Sequence, residues 1–140
     1  MDIAALIAWV VTALGGFYML GIWLSHGGAR GGSSHLPVPV VFGHFALAAI
    51  GLVVWIIHVV TDSEALAWAA FALLLPVALL GFVMLARWIP VHRDRAAAPA
   101  GAGQSAPAER HFPLAVVAGH GLAAVVTLVL VLLTALGMGE

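Results

Sequence analysis

Four long apolar runs decide what this chain can fold into. They fall at about residues 3–24, 38–60, 65–89 and 112–136. Each matches the roughly 20 residues needed to cross the hydrocarbon core of a bilayer. Lipid offers no partner to a free peptide group, so such runs cross as helices that make their backbone bonds internally. Composition agrees: of 140 residues, 64% are hydrophobic and 8% charged, too apolar for an ordinary water-soluble domain. The expectation is an all-α membrane protein, a four-transmembrane-helix bundle in a single integral domain. The first run follows Met1 and Asp2 directly, with no basic segment before it and no A-x-A-like site after it. It reads as a retained helix and not as a removed signal peptide.

Arginines set the expected orientation. The chain has no lysine and five arginines. Arg30 lies in the first connection, and Arg87, Arg93, Arg95 and Arg110 lie at or within the third. The second connection, around Asp62-Ser63-Glu64, carries only acids. By the preference for positive charge inside, connections 25–37 and 90–111 face the cytoplasm and both termini lie outside. A bacterial plasma membrane is the expected location. Residues 93–110 read as a flexible loop, because much of that stretch is Ala, Pro, Gly, Gln and Ser. No basic patch with interleaved aromatics points to nucleic acid. The absence of cysteine excludes disulfides, Cys-ligated iron–sulfur clusters and covalent haem attachment.

The chain repeats itself. His35-Leu36-Pro37-Val38-Pro39-Val40-Val41-Phe42-Gly43-His44 and His111-Phe112-Pro113-Leu114-Ala115-Val116-Val117-Ala118-Gly119-His120 share the pattern H-[L/F]-P-x-x-V-V-x-G-H, 76 residues apart. Runs 1 and 3 share G-F-x-M-L-x-x-W, from Gly16 to Trp23 and from Gly81 to Trp88. Helices 1–2 and 3–4 therefore read as two tandem copies of one hairpin. Each copy crosses the membrane an even number of times, so both have the same orientation. That arrangement implies a pseudo-two-fold axis along the membrane normal. Pro37, Pro39 and Pro113 fall in first helical turns, where a missing N–H costs nothing. Pro76 lies mid-run and is expected to kink its helix. The five tryptophans read mostly as aromatic belts at the membrane interfaces.

The repeat puts His44 and His120 about seven residues into their helices, roughly 10 Å along at 1.5 Å per residue. An unpaired polar ring at that depth is costly and usually functional. Neutral imidazole ligates iron through one nitrogen, and facing helices can supply two such ligands. The favoured reading is one haem b per chain, with His44 and His120 as axial and metal ligands. Gly43 and Gly119 remove side chains where the porphyrin face approaches. Phe42, Phe45, Phe17, Phe82, Leu47 and Leu122 are candidate walls. The competing readings are interhelical hydrogen bonding, another metal, or a proton relay.

His35 and His111 lie nine residues earlier and belong to the membrane surface. With Arg110 and the more distant Arg30 they suit haem propionates. An interfacial polar residue beside a helix start is an equally good reading. His58 follows His44 by 14 residues on nearly the same helix face. That spacing resembles the paired histidines on one helix of di-haem cytochrome b. The resemblance breaks on helix 4, where Thr134 takes the equivalent position. His58 could contact a quinone or pair with another subunit of a homo-oligomer; satisfying a helix carbonyl is the favoured reading. His26 and His92 are loop residues with no assigned role.

The pattern of helices 2 and 4 resembles small four-helix transmembrane b-type cytochromes. The resemblance implies electron transfer to or from quinol or a partner redox protein, through a bis-histidine haem with no open iron position. Two other classes stay open: a non-redox accessory subunit of a membrane complex, and a small metal or proton transporter. The membrane interior contains no Asp or Glu to pair with the histidines, which argues against transport.

Overall fold

The computed structural model describes residues 1–30, 32–97 and 106–138. Among them are four long helices: α1 (Asp2–Ser25), α2 (Val38–Thr61), α3 (Glu64–Ala97) and α4 (Leu114–Ala135). A short 3₁₀ turn, Ala108–His111, precedes α4. All four helices are long and apolar enough to cross a membrane.

Local chemistry sets the boundaries. Pro37 and Pro113 are the N-cap residues of α2 and α4, both with extended backbone. Proline suits a helix start because its missing N–H falls where none is needed. Asp62 ends α2 in a left-handed conformation, φ 53°, and its N–H reaches the His58 carbonyl at 2.7 Å. The chain then turns at once into α3.

The third helix departs from expectation. It continues past residue 89 as far as Ala97, with both Pro76 and Pro90 inside it. Each proline removes one backbone bond, and the helix continues through both. Beyond Pro90 the sequence offers good helix formers, and Trp88 and Val91 are buried. Arg95 donates to the Arg110 carbonyl at 3.1 Å. The stretch expected as a loop at 93–110 is thus helical at both ends, while residues 98–105 lie outside the described residues.

Packing runs round a square. α1 lies along α4 and α2 along α3, with smaller contacts between α1 and α2 and between α3 and α4. Among the described residues the diagonal pairs, α1 with α3 and α2 with α4, have no close backbone approach. Two separate apolar cores close the ends. One gathers Ala5, Trp9, Trp55, Ala70, Leu74 and Val131. The other gathers Trp23, Leu36, Val41, Trp88, Ala108 and Phe112.

Most of the tryptophans are buried within the bundle and not open on its surface. Trp9, Trp23, Trp55 and Trp88 are 0–5% exposed, and Trp68 alone is open, at 40%. Small residues make room for them. A Cβ on Gly51 would stand 3.0 Å from the Trp9 ring, and Gly28 lies directly against Trp23. Buried indoles need an acceptor for their N–H. Trp23 donates to Ser34 Oγ at 2.8 Å, Trp88 to the Glu109 carbonyl at 3.1 Å, and Trp55 to the Asp2 carbonyl at 3.3 Å.

Candidate functional site: an imidazole pair between diagonal helices

His44 on α2 and His120 on α4 meet across the bundle. Their ring centroids are 6.4 Å apart and the planes are inclined by 59°. The helices that carry them are diagonal partners, so the two side chains span a gap that the backbones leave open. Neither histidine belongs to either end core.

Each ring is anchored by the helix beside it. His44 Nδ1 lies 2.9 Å from the Val77 carbonyl of α3. His120 Nδ1 lies 2.9 Å from the Thr12 carbonyl of α1. A carbonyl oxygen only accepts, so Nδ1 is the donor in both bonds. In the neutral imidazole that leaves the Nε2 lone pair of each ring without its hydrogen, ready to bind a metal.

Glycines make the anchoring possible. Thr12 lies four residues before Gly16, and Val77 four residues before Gly81. In a helix, that places each glycine one turn above the accepting carbonyl. A Cβ on Gly16 would stand 3.2 Å from His120 Cε1, and one on Gly81 would stand 3.4 Å from His44 Cε1. Gly15 is also close, 3.4 Å from His120 Cβ on the same measure. The residues expected to clear space were Gly43 and Gly119. Gly43 faces Leu80 Cδ1 at 3.8 Å, and Gly119 has nothing within 4 Å. The histidine rings themselves rest on Gly16 and Gly81, the opening letter of G-F-x-M-L-x-x-W.

Of the candidate wall residues, Phe17 packs edge-on against Phe45 with centroids 5.1 Å apart. Phe42 packs edge-on against Trp23 at 6.1 Å. Phe17, Phe82 and Leu122 are more than half exposed. Next to the His120 anchor, the hydroxyl oxygens of Thr12 and Thr127 lie 3.2 Å apart, and each hydroxyl donates to the carbonyl four residues before it.

The surface histidines have separate surroundings. His35 Nδ1 lies 3.3 Å from Glu109 Oε1, and the His35 ring is largely exposed. His111 stacks on His26 with centroids 3.7 Å apart and planes 15° from parallel. Its Nδ1 donates to the Ala108 carbonyl at 3.2 Å. His92 stacks on Trp88 at 4.7 Å. Among the described residues, neither the Arg30 nor the Arg110 guanidinium has a hydrogen-bond partner. Arg87 donates to the His35 carbonyl at 3.2 Å.

Glu109 is a residue the sequence reasoning passed over. It is fully buried. Oε1 accepts the His35 backbone N–H at 2.6 Å, and Oε2 accepts the Ser34 hydroxyl at 2.7 Å. Ala108 N–H reaches the Ser33 carbonyl at 2.9 Å. A single carboxylate thus ties the first connection to the 3₁₀ turn before α4. Its sequence signal is slight: Glu109 is the one acid between Asp94 and Glu140, two residues before a repeat motif.

His58 is buried beside Trp55, and its Nδ1 donates to the Ser63 carbonyl at 2.9 Å. The carbonyl it satisfies belongs to the α2–α3 turn and not to the body of a helix.

Compared with protein-family models, curated proteins and solved structures, the chain has no match.

Proposed function

We propose that the protein is a membrane-embedded b-type cytochrome that carries electrons through one haem b held by His44 and His120. One observation supports this above the rest. Both imidazoles are fixed by Nδ1 to a backbone carbonyl, both keep an Nε2 lone pair, and their centroids are 6.4 Å apart. Imidazole nitrogen is a ligand for first-row metal ions, and rings this close could be shared by one ion. The donor set fits a bis-histidine iron, and the backbones of α2 and α4 stand apart where a flat group needs room.

Haem supplies one-electron chemistry at its iron; the chain supplies the setting. The Thr12 and Val77 carbonyls orient the rings, fix the tautomer and raise the basicity of the ligating nitrogen. The apolar end cores keep water from the ligand layer. Arg30 and Arg110, whose guanidinium groups have no hydrogen-bond partner among the described residues, would suit propionates, with His35 and His111 at the same end of the bundle. Gly43 and Gly119 stay in this reading as the residues beside the two ligands that carry no side chain. Held by both histidines, an iron would have no open position, which would favour electron transfer over oxygen binding. Quinol or a partner redox protein is the proposed exchange partner.

The same reading includes two tandem hairpins about a pseudo-two-fold axis. Its support is the matching pair of anchors: helix 2 to helix 3 through His44, and helix 4 to helix 1 through His120. It also includes cytoplasmic connections 25–37 and 90–111, supported by the five arginines near that end.

A second reading draws on the same bonds. Each histidine already joins two helices, so an accessory subunit could use both as interhelical glue. Haem content decides between them. Purified protein assayed as its pyridine haemochrome yields one haem b per chain on the cytochrome reading and none on the other.

A further inference from the structure

At the opposite end of α2 from its proline cap, one histidine nitrogen lacks a hydrogen-bond partner among the described residues. His58 is 4% exposed. Its Nδ1 faces the Ser63 carbonyl, which only accepts, so Nδ1 carries the hydrogen. Nε2 is buried and has no hydrogen-bond partner among the described residues. The atom it faces is Asp2 Oδ2, 3.8 Å away. In the neutral ring these are two acceptors 3.8 Å apart.

Distance separates the ways of resolving that conflict. A charge-assisted N–H···O bond spans about 2.7–2.9 Å, so a proton on Nε2 leaves the pair nearly 1 Å too far apart. A metal ion fits between them. Bonds of about 2.0–2.2 Å to imidazole nitrogen and carboxylate oxygen put the two ligand atoms roughly 3.4 Å apart at a tetrahedral ion and about 4.2 Å apart at a linear one. The observed 3.8 Å lies inside that range. Neighbouring groups hold both ligands in place. The Met1 ammonium lies 3.8 Å from the other Asp2 oxygen, Oδ1. Trp55 donates to the Asp2 carbonyl at 3.3 Å, and its ring centroid is 4.7 Å from that of His58.

We propose that His58 Nε2 and the Asp2 carboxylate form a binding site for a divalent first-row transition-metal ion of the Zn²⁺ type. An imidazole nitrogen with a carboxylate oxygen suits such ions better than Mg²⁺ or Ca²⁺, which take all-oxygen shells. Water completes the coordination on the side where the Asp2 side chain is 35% exposed. The ion ties the start of α1 to the turn between α2 and α3. The site shares no residue with the His44–His120 pair and does not depend on haem.

The test is a titration of chelator-stripped, detergent-solubilised protein with Zn²⁺ against a chromophoric chelator. Wild type is expected to take up one equivalent at this site. His58→Gln and Asp2→Asn, changed on different helices and close in size to the originals, are each expected to bind at least tenfold more weakly. Their haem content stays at the wild-type level, and added Zn²⁺ raises the unfolding midpoint of wild type but not of either variant. A wild-type protein that competes for no Zn²⁺ overturns the proposal, as does wild-type affinity in either variant.

Discussion

His120 reaches the carbonyl oxygen of Thr12 at 2.9 Å, over a glycine that leaves space for its ring. The anchor holds α4 to α1 and fixes which imidazole nitrogen points away.

Gly16 is where that anchor is most easily disturbed. A Cβ at 3.2 Å from His120 Cε1 requires the ring to give by a few tenths of an ångström. Gly16→Ala is expected to be mildly destabilising. Gly16→Val overpacks the site and should cost about 1–3 kcal/mol. Thermal unfolding in detergent micelles reads the difference. A valine variant as stable as wild type would show that the ring does not sit over Gly16.

Glu109 offers a second test. Its carboxylate accepts the His35 N–H and the Ser34 hydroxyl while fully buried. Glu109→Ala strands both donors and should cost about 2–4 kcal/mol, within the usual range for breaking a buried polar network. Glu109→Gln retains one acceptor and should lose less. Equal unfolding midpoints for wild type and the alanine variant would remove Glu109 as the tie between the two connections.

Trp23 and Trp68 separate a core indole from a surface one. Trp23→Phe leaves Ser34 without its indole donor and shrinks a buried side chain. A loss of about 1–3 kcal/mol is expected. Trp68→Phe, at 40% exposure, should change stability by less than about 0.5 kcal/mol. The reverse order would restore the interfacial-belt reading for Trp23.

Sidedness is tested by chemistry that the native chain lacks, since it has no cysteine. Glu64 and Ala97 are both exposed, at opposite ends of α3. Glu64→Cys should react with an impermeant maleimide in intact cells. Ala97→Cys should react only after lysis. The opposite pattern would invert the orientation.

The helices were legible because lipid leaves an apolar run no other choice, and their ends because Pro37, Pro113 and the Asp62 turn are local signals. The meeting of His44 and His120 was legible from their matched depth in repeated motifs. Other features depend on distant partners. Trp23 reads as interfacial until Ser34 is seen to accept its N–H. Glu109 stands in a stretch with no periodicity, and its worth comes from Ser34 and His35, 75 and 74 residues away. Gly16 and Gly81 stood out only as the first letter of a repeat, because a glycine does not announce which ring will rest on it. The third run was expected to end at about residue 89, where the apolar stretch gives way to charged residues, whereas burial of Val91 carries the helix further.

The central claim, that His44 and His120 together ligate one haem, is tested most directly by the visible spectrum of purified wild type beside His44→Ala and His120→Ala. The wild-type protein should show a low-spin Soret band that sharpens on dithionite reduction, at one haem per chain. Each variant should lose the low-spin signature and most of its haem. A wild-type protein with no Soret band, or two variants with full haem and an unchanged low-spin spectrum, would contradict the account.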